Sequence, residues 1–500
     1  MRGLGLLRSL AVVSAGTGLV LGATNASVPL NLVHRATGGT ASTTPADATH
    51  ADPVAVAQTI CPGPEALGVA GLKDSRVQIS SLTAVSAPLA SLPTGFAVIQ
   101  GAGTLTFSGL PVGGIWAAPA TVRGQVISGQ ISTAQSALLA GDGPIAPGTV
   151  ATQRSWVKTG DDRGLFTAAC MPPAASSWLI GGGAQPGRRE RLVLTNPGPN
   201  PVTVDLSVLG VTGEVQSPNG RGLVVGPYAR TVVLLDAIAG SEPSPVVHVS
   251  TQGGEVAAVL SDTWLDGVIP RGGDDAVPVA PPAREQVIAG VAIDGPATLR
   301  LAVPGDNEAV VETRVLTPTG PKALPAGGVT RVAAHSTKDI DLGSLPPDAY
   351  AVQVRADVPV IAAAMVERRP AAAGAPSDLA WSGASAPIRT LAGMALHGAP
   401  EVGLTERLDL AGTGSPGSVL VTTVGADGQA TTKEVAIGAD SVSILPLVGA
   451  TSVWVTPLGG LVRAAVVTGA TDPQGVVLSV TPLADLTLTT TSSPLREIRD

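Results

Sequence analysis

The amino-acid sequence predicts an all-β protein built of tandem immunoglobulin-like β-sandwich domains, which follow an N-terminal signal or anchor segment and a linker. Three observations support this fold class. Short apolar or alternating runs such as "RVQISSLTAV" and "TLTFSG" lie between Gly, Pro, Asn and Asp residues, as β-strands do. No long segment has the apolar spacing of a helix. One order of strand-like segments also occurs three times along the chain.

The length and composition indicate several domains and argue against one class of partner. A chain of 500 residues is too long for a single hydrophobic core. The 62 Gly and 43 Pro residues provide for many turns without reaching the level typical of disorder. Charged residues make up only 14% of the chain, and the net charge of −8 is spread out with no basic tract. We therefore expect no nucleic-acid partner.

The N-terminus predicts a location outside the cytoplasm. Arg2 and Arg8 precede an apolar run, and no formally charged residue occurs from Ser9 to Val33. Residues 1–33 are thus either a cleaved signal peptide or an uncleaved membrane anchor that would span the bilayer with residues 9–33. Residues 34–54 are small, polar and aperiodic, which is typical of a flexible linker. We expect the remaining chain to be secreted or anchored, with membrane contact only through its N-terminal segment.

The two cysteines, Cys61 and Cys170, predict one disulfide bond. An exported chain with an even, minimal number of cysteines commonly pairs them. Closing a loop of about 109 residues would stabilise the fold by roughly 4–5 kcal/mol in the chain-entropy model. Two free buried thiols are the alternative. Neither cysteine has a second cysteine or a histidine at the spacing of a metal site.

The internal repeat defines the predicted domains. Its copies begin with "RLVLTNPGPNPVTVDLSVLG", "LRLAVPGDNEAVVETRVLTPTG" and "LDLAGTGSPGSVLVTTVGADG". In each copy we expect a hairpin at a Gly-containing turn and a final hairpin at Gly253-Gly254, at residues 357–359 or at Gly459-Gly460. The predicted domains are a divergent β domain at 55–172 closed by the disulfide, sandwiches at 173–281, 282–383 and 384–484, and a loose tail at 485–500.

One stretch of the first sandwich resembles a known family. The segments "SSWLIGGG", "GRRERLVLTNPGPNPVTVDLSVLG" and "VVHVSTQGGEVAAVLSDTWLDGVIPRGGDD" are similar to an actinobacterial family of exported proteins known only as a domain of unknown function. The resemblance is strongest over 178–275. It implies an envelope-facing protein with no assigned chemistry, and it carries over no catalytic residue.

Residue types that serve catalysis are scarce or badly spaced. The five histidines form no His-x-Glu or His-x-x-x-His pair, so a metal centre built on histidine is not expected. No Gly-x-Ser-x-Gly motif of a serine hydrolase occurs. The loop "GGGAQPG" at 181–187 is similar to a phosphate-binding loop, but a strand follows it where such a loop needs a helix. We expect a strand connection there, and no cofactor or metal in the protein.

Several tryptophans lie near the predicted domain joints. Trp178 begins the first sandwich, Trp264 follows its last predicted strand, and Trp381 precedes the third sandwich. The first interpretation is that these rings cover sandwich ends and pack one domain against the next. The alternative is that they form a shallow aromatic surface that binds cell-wall carbohydrate.

The stretch "SDTWLDGVIPRGGDD", Ser261 to Asp275, is the most polar candidate site. We expect a joint between the second and third domains in which Trp264 is largely buried and Arg271 pairs with Asp274 or Asp275. Asp266-Gly267 and Gly272-Gly273 are predicted turns. The candidate joint or ligand surface comprises Trp178, Asp262, Trp264, Asp266, Arg271, Asp274, Asp275 and Trp381. Asp262 and Asp266 could instead be the paired carboxylates of a glycoside hydrolase, and the spacing matches no calcium loop.

These observations together favour a non-catalytic, extracytoplasmic cell-envelope protein that acts as a scaffold or partner-binding module. The expected partner is an envelope protein or a cell-wall polymer. A carbohydrate-binding protein is the second hypothesis and a hydrolase the third.

Overall fold

A computed structural model describes residues 50–67, 76–77, 79–111, 117–372, 374–397 and 403–492 of the chain. Apart from His50, these residues belong to one compact unit, Ala51–Ser492. The predicted signal or anchor at 1–33, the first part of the predicted linker and residues 493–500 lie outside the described residues. The described chain is nearly all β, which confirms the all-β part of the predicted fold class.

The first segment contains two facing sheets. Its strands are β1 (His50–Pro53), β2 (Val56–Cys61), β3 (Ala66–Leu67), β4 (Arg76–Val77), β5 (Ser80–Ser86), β6 (Leu105–Leu110), β7 (Ile127–Ile131), β8 (Ser136–Asp142), β9 (Thr149–Val157) and β10 (Gly164–Ala169). One sheet has the order β10-β9-β5-β7 and the other β2-β8-β6, while β3 and β4 pair separately. Single 3-10 turns lie at Leu89–Ser91 and Gly143–Ile145. Leu82, Phe107 and Leu139 are fully buried in the core of this segment.

The second segment is a sandwich of two antiparallel sheets. Its elements are β11 (Ser176–Ile180), β12 (Arg188–Asn196), β13 (Val202–Gly210), β14 (Gly213–Val215), a 3-10 turn (Pro218–Gly220), β15 (Leu223–Val225), β16 (Ala229–Leu234), α1 (Asp236–Ala239), β17 (Val246–Gln252), β18 (Ala257–Asp266) and β19 (Ile269–Ala276). One sheet is β11-β17-β13-β14, with β15 also on β13, and the other is β16-β12-β18-β19. The alternation expected of a half-buried strand is visible in β13, where Val202, Val204 and Val208 are buried while Thr203 is exposed.

The third and fourth segments have the same strand-pairing scheme as the second, built from fewer and longer strands. Their strands are β20 (Ala283–Ile293), β21 (Ala297–Ala302), β22 (Ala309–Thr317), β23 (Gly320–Ala323), β24 (Val329–Val332), β25 (Thr337–Asp341), β26 (Asp348–Arg368), β27 (Asp378–Gly383), β28 (Ala392–Ala395), β29 (Thr405–Gly425), β30 (Ala430–Ile437), β31 (Ser441–Pro446), β32 (Ala450–Asp472), β33 (Gly475–Pro482) and β34 (Thr489–Ser492). Strand β26 replaces the pair β17 and β18, since its first half pairs with β20 and β22 and its second half with β21 and β27. The bounds of the four predicted β domains stay predictions.

The predicted final hairpins are wrong. In the second segment β17 and β18, on either side of Gly253-Gly254, lie in different sheets. Residues 357–359 lie inside the continuous strand β26, and Gly459-Gly460 lies inside β32. These positions are corners at which the chain passes from one sheet of the sandwich to the other. A hairpin and a corner both need turn residues between two half-buried strands, so the sequence pattern does not distinguish them.

Two predicted loose regions are packed in part. The last residues of the predicted linker form β1, and Val54 is buried, with its N–H donating to the Leu488 carbonyl at 2.9 Å. The predicted tail at 485–500 is ordered as far as β34, which pairs with β1. Asp485 accepts hydrogen bonds from the N–H groups of Arg389, Thr390 and Leu391. The buried Leu488 and the hydrogen bonds of Asp485 thus hold in place the first part of the predicted loose tail.

The segments share apolar cores. The core of the second segment includes Leu379 and Trp381 of the third. The core of the third includes Ala465 and Val480 of the fourth. Adjacent sandwiches therefore bury apolar surface against each other, which stabilises one arrangement of the segments by the hydrophobic effect.

Candidate functional site

The polar stretch Ser261 to Asp275 forms most of the β18–β19 hairpin. Asp262 lies directly opposite Asp274 and Ser261 opposite Asp275, with a bulge after Trp264. The hairpin turns at Gly267, whose φ is 64°, so the Asp266-Gly267 turn is confirmed. The predicted turn at Gly272-Gly273 is wrong, because both glycines lie within β19. The stretch is thus a continuous hairpin rather than a loop, and its Asp262 and Asp274 bond to Trp381 of the third segment.

Asp262 is the centre of a buried ion pair. Its side chain has no exposed surface, and the Arg188 guanidinium donates to both carboxylate oxygens, at 2.8 and 2.6 Å. Trp381 Nε1 and the Gly182 N–H donate to Oδ2 at 2.8 and 3.0 Å. Burial alone would raise the pKa of Asp262, but the charge and hydrogen bonds of Arg188 outweigh it and lower the pKa.

Glu190 lies opposite Asp262 on β12 and completes this group. Its Oε1 accepts the Gly183 N–H at 2.7 Å and lies 3.8 Å from Arg188 Nε. Burial and the neighbouring Asp262 carboxylate raise the pKa of Glu190 to about 7. The loop at 181–187 is a strand connection, as expected, and its Gly182 and Gly183 amides bond to the protein's own carboxylates.

Asp274 and Asp275 do not pair with Arg271. Arg271 bonds Asp266 at 2.8 Å and approaches Glu367 at 3.6 Å. Asp274 is buried; its Oδ2 accepts the Trp381 N–H at 2.7 Å and its Oδ1 has no hydrogen-bond partner among the described residues. Burial raises the pKa of Asp274 well above its ordinary value. The prediction failed because β27, which supplies Trp381, lies 107 residues away and leaves no signal near Asp274.

Asp275 is also buried, opposite Ser261 in the same hairpin. Burial raises its pKa to about 7, the Ser261 hydroxyl lowers it, and the Glu65 carboxylate raises it. Glu65 itself pairs with Arg230. The hairpin therefore bonds to the third segment through Asp262 and Asp274, while Asp275 is bonded within the hairpin itself.

Asp378, which the sequence analysis missed, joins all four segments. Its carboxylate accepts the backbone N–H groups of Leu165 at 2.9 Å, Gly273 at 3.1 Å, Leu379 at 3.0 Å and Leu478 at 3.0 Å. Burial raises the pKa of Asp378 to about 8, although these four donors act in the opposite direction. We call Glu190, Asp262, Asp274, Asp275 and Asp378 the junction carboxylates. A serine–aspartate pair before a strand, "SDLAW", is too common a pattern to have singled out Asp378.

The three candidate tryptophans have different surroundings. Trp381 is buried, with the Arg300 guanidinium 5.1 Å from its ring centre. Burial of Trp264 is partial: it packs against the core of the second segment near the turn of the hairpin, beside Arg188 and Arg271. Trp178 is also partly buried, and its ring stacks on His248 at 4.1 Å. Of these three rings, Trp381 is the one that is buried in a core shared by two segments.

The predicted disulfide is present. Cys61, at the end of β2, is bonded to Cys170, which follows β10, with their Cα atoms 4.4 Å apart. The bond closes the first segment, since it connects the two sheets through its first and last long strands.

The geometry bears on the hydrolase hypothesis. Asp262 has no exposed surface and is held by Arg188, whereas Asp266 is exposed and paired with Arg271. The two carboxylates therefore do not face one open cleft, which a pair acting on a glycosidic bond requires. Among the described residues, no three His, Cys, Asp or Glu side chains are placed to hold a metal ion. Within the same ranges, no helix has the length and apolar character to cross a membrane.

The fold and the junction together define an all-β protein of packed sandwiches whose buried charges connect its segments. The chain belongs to a family of unknown function, DUF5719, which matches residues 126–448. The expected resemblance to a domain of unknown function is thereby confirmed. No curated protein matches the chain. One solved structure, described as a "Crystal structure of tetra-tandem repeat in extending region of large adhesion protein", is 14% identical over 87% of this chain and 100% of that chain, with a TM-score of 0.10.

Proposed function

We propose that this protein is a non-catalytic, extracytoplasmic component of the cell envelope that acts as a scaffold or partner-binding module. The observation that carries the proposal is the set of bonds at Asp378, whose carboxylate holds backbone groups from four segments. Asp262, one of the two candidate catalytic carboxylates, is instead buried and bonded to Arg188. Such a junction favours a fixed presentation of the outer surfaces, which is what a scaffold needs.

The location outside the cytoplasm is supported by the Cys61–Cys170 disulfide, because such bonds persist in oxidising compartments. The uncharged run at 9–33 is consistent with export by a signal peptide or an anchor. Protease added to intact, wall-stripped cells is expected to digest the folded unit. Full protection until the cells are lysed would overturn the proposed location.

The scaffold role is tested by a photo-crosslinking amino acid at exposed turn positions in living cells. Val448 and Val268 are suitable, since they are 91% and 88% exposed at the tips of turns. We expect a discrete adduct with an envelope protein or wall polymer from at least one position, and none from a probe at the buried Val467. Adducts with cytoplasmic proteins only, or hydrolytic turnover of a cell-wall polymer by the purified protein, would contradict the proposal.

The carbohydrate hypothesis at the domain joints has less support. Trp381 is buried and its Nε1 is bonded to Asp262, while one face of Trp178 is covered by His248. Trp381 therefore has no free face for stacking on a sugar, and one face of Trp178 is already occupied.

A further inference from the structure

Strand β16 of the second segment forms an open sheet edge. It lies at the end of its sheet, and β12 is its only strand partner among the described residues. Directly after β16, the Leu235 N–H donates to the Glu190 carbonyl of β12 at 3.0 Å. Alternate residues of an antiparallel strand turn their backbone groups toward the partner, so those of Val232 and Leu234 point away from β12. These two residues therefore offer free N–H and C=O groups to a further strand.

The side chains of the same two residues are apolar and exposed. Val232 is 38% exposed and Leu234 is 48% exposed. Proteins commonly protect edge strands from unwanted pairing with charged side chains or proline. The sequence from 231 to 235 contains neither. The edge of β16 therefore lacks this protection.

The equivalent strand of the third segment, β25, has charged residues at the same positions. The Leu342 N–H, directly after β25, donates to the Ala297 carbonyl at 2.8 Å, which matches the bond that follows β16. By the same alternation, the two outward-facing residues of β25 are Asp339 and Asp341. A carboxylate at each position opposes the approach of another strand.

The equivalent strand of the fourth segment, β31, has a proline at one of these positions. The Leu447 N–H donates to the Glu406 carbonyl at 2.9 Å, so the outward-facing residues are Ile444 and Pro446. Proline has no N–H with which to extend a sheet. Of these three equivalent edges, that of β16 is the one built to accept a strand.

We propose that β16 pairs with β16 of a second copy of this chain. A twofold axis at Val233 sets Val232 of one copy opposite Leu234 of the other, and Leu234 opposite Val232. Both pairs use the outward-facing backbone groups, and all four apolar side chains lie on one face of the joined sheet. The strand is thus complementary to itself.

The free length of the edge also favours a second β16 over a long extended peptide. At its start, Arg230 Nε donates to the Pro62 carbonyl at 3.1 Å and the guanidinium pairs with Glu65, so the first segment contacts this end. Helix α1 begins at Asp236, just after the other end. Val233 lies midway between Arg230 and Asp236, so the twofold axis centres the pairing on the free residues.

The first test is sedimentation velocity of the exported protein from about 1 to 100 µM, in which a dimer that dissociates on dilution is expected. Val232→Asp and Leu234→Asp copy the acids of β25. Each should weaken the dimer roughly a hundredfold, because the axis places each change in the interface twice and a carboxylate loses hydration there. Since β25 carries aspartate at these positions in the same kind of sheet, both variants should fold, which their unfolding temperatures would show.

The matched control is Val329→Asp. This change adds the same charge at an exposed valine on β24, an edge strand of the third segment, and should leave the dimer unchanged.

A second test measures the register of the pairing. A mixture of Val232→Cys and Leu234→Cys proteins should form a disulfide-linked dimer on mild oxidation, because opposite residues of a hydrogen-bonded pair have Cα atoms about 5.5 Å apart. Either variant alone should link far less, since its two cysteines would be diagonal neighbours about 7–8 Å apart.

The proposal is overturned if the protein is monomeric throughout this range, if both aspartate variants dimerise as the unaltered protein does, or if each cysteine variant links alone as readily as the mixture. A photo-crosslinking amino acid at Leu234 that links a different envelope protein, and no second copy, would also overturn it. None of these outcomes contradicts the proposed scaffold role, which rests on Asp378.

Discussion

At the residue scale, the main finding is that the buried carboxylates differ in pKa: that of Asp262 is lowered, whereas those of Asp274 and Asp275 are raised. Asp262 is held ionised by the two hydrogen bonds of Arg188, both from a fully buried guanidinium. Asp274 and Asp275 have no such pair, and burial raises the pKa of each. The difference in pKa follows from strand order. Asp262 lies on β18, next to β12, which carries Arg188, whereas Asp274 and Asp275 lie on β19, which β18 separates from β12.

Replacement of Asp262 by Ala should destabilise the protein strongly. The change leaves the Arg188 charge buried without its partner, and such losses are about 3–5 kcal/mol. Asp266→Ala is the control, because the Asp266 side chain is half exposed and its pair with Arg271 should be worth about 1 kcal/mol or less. Denaturant unfolding followed by circular dichroism would compare the two variants. Equal shifts of the denaturant midpoint in the two variants would show that the buried Asp262–Arg188 pair stabilises the protein no more than the exposed Asp266–Arg271 pair.

The stability of the protein should fall as the pH rises from about 4 to about 8. Glu190 and Asp275 have folded-state pKa values raised to about 7, and Asp378 to about 8, against ordinary values of 4.5 and 3.8. The folded state therefore binds more protons than the unfolded state in this window, so the contribution of these acids is full below their ordinary pKa and is lost as pH passes their folded pKa. Asp262, whose pKa is lowered, contributes in the opposite direction, and only below its ordinary pKa of 3.8.

Calorimetric unfolding temperatures at pH 5, 7 and 9 test this slope. Asp275→Asn should flatten it, and the exposed Asp266→Asn should not. A melting temperature that rises from pH 5 to pH 9 in the unaltered protein would contradict the assignment of raised pKa values.

At the scale of elements, the β18–β19 hairpin is fixed in place by the close approach of β27. Gly272 has a φ of 97°, and a Cβ atom there would lie 1.9 Å from Asp378 Oδ1 and 2.5 Å from its Cα. Gly267 at the tip also has a positive φ, of 64°, but a Cβ atom there would meet no atom within 4 Å. A side chain at either glycine would strain the backbone, but only a side chain at Gly272 would also collide with Asp378.

Gly272→Ala should be far more damaging than Gly267→Ala. Both changes strain the backbone by roughly 1–2 kcal/mol, but only the first also displaces Asp378 from its backbone partners. The comparison needs the unfolding temperature of each variant. Similar losses in the two would mean that β27 and the hairpin are not in the tight contact described.

The sequence predicted strands and covalent links better than contacts between segments. The alternation of buried and exposed residues in strands such as Val202–Gly210 is a local pattern, and it is present in the structure. The disulfide between Cys61 and Cys170 could be predicted because the chain has only two cysteines, and it is also present. The corners at Gly253-Gly254 and Gly459-Gly460 were mistaken for hairpins because the same turn residues serve both. The partners of Asp274 and the role of Asp378 depend on strands about 100 or more residues away, for which a single sequence holds no local pattern.

At the scale of the whole molecule, the junction at Asp378 makes the four segments mutually dependent. Its carboxylate accepts hydrogen bonds from β10, β19 and β33 as well as from its own strand. The apolar cores shared by the second and third segments and by the third and fourth segments also make the stability of each segment depend on its neighbour. Residues 51–492 accordingly form one compact unit rather than a string of separate modules.

We expect a single cooperative unfolding transition, which Asp378→Ala should split. The variant leaves four backbone N–H groups without an acceptor, at about 1–3 kcal/mol for each that stays buried. Asp427→Ala is the control, since Asp427 caps one exposed turn within a single hairpin. Scanning calorimetry distinguishes the cases. Several separate transitions in the unaltered protein would show that the segments unfold independently.

The disulfide also gives the molecule a mechanical property. A chain pulled from its two ends can extend only through the residues outside the covalent loop, and the 109-residue separation of Cys61 and Cys170 stays hidden from the force. At about 3.5 Å per extended residue, the bond withholds roughly 380 Å of contour length. In single-molecule stretching, that length should become available only after reduction. A tether carrying this protein would therefore be shorter under load in an oxidising medium than in a reducing one.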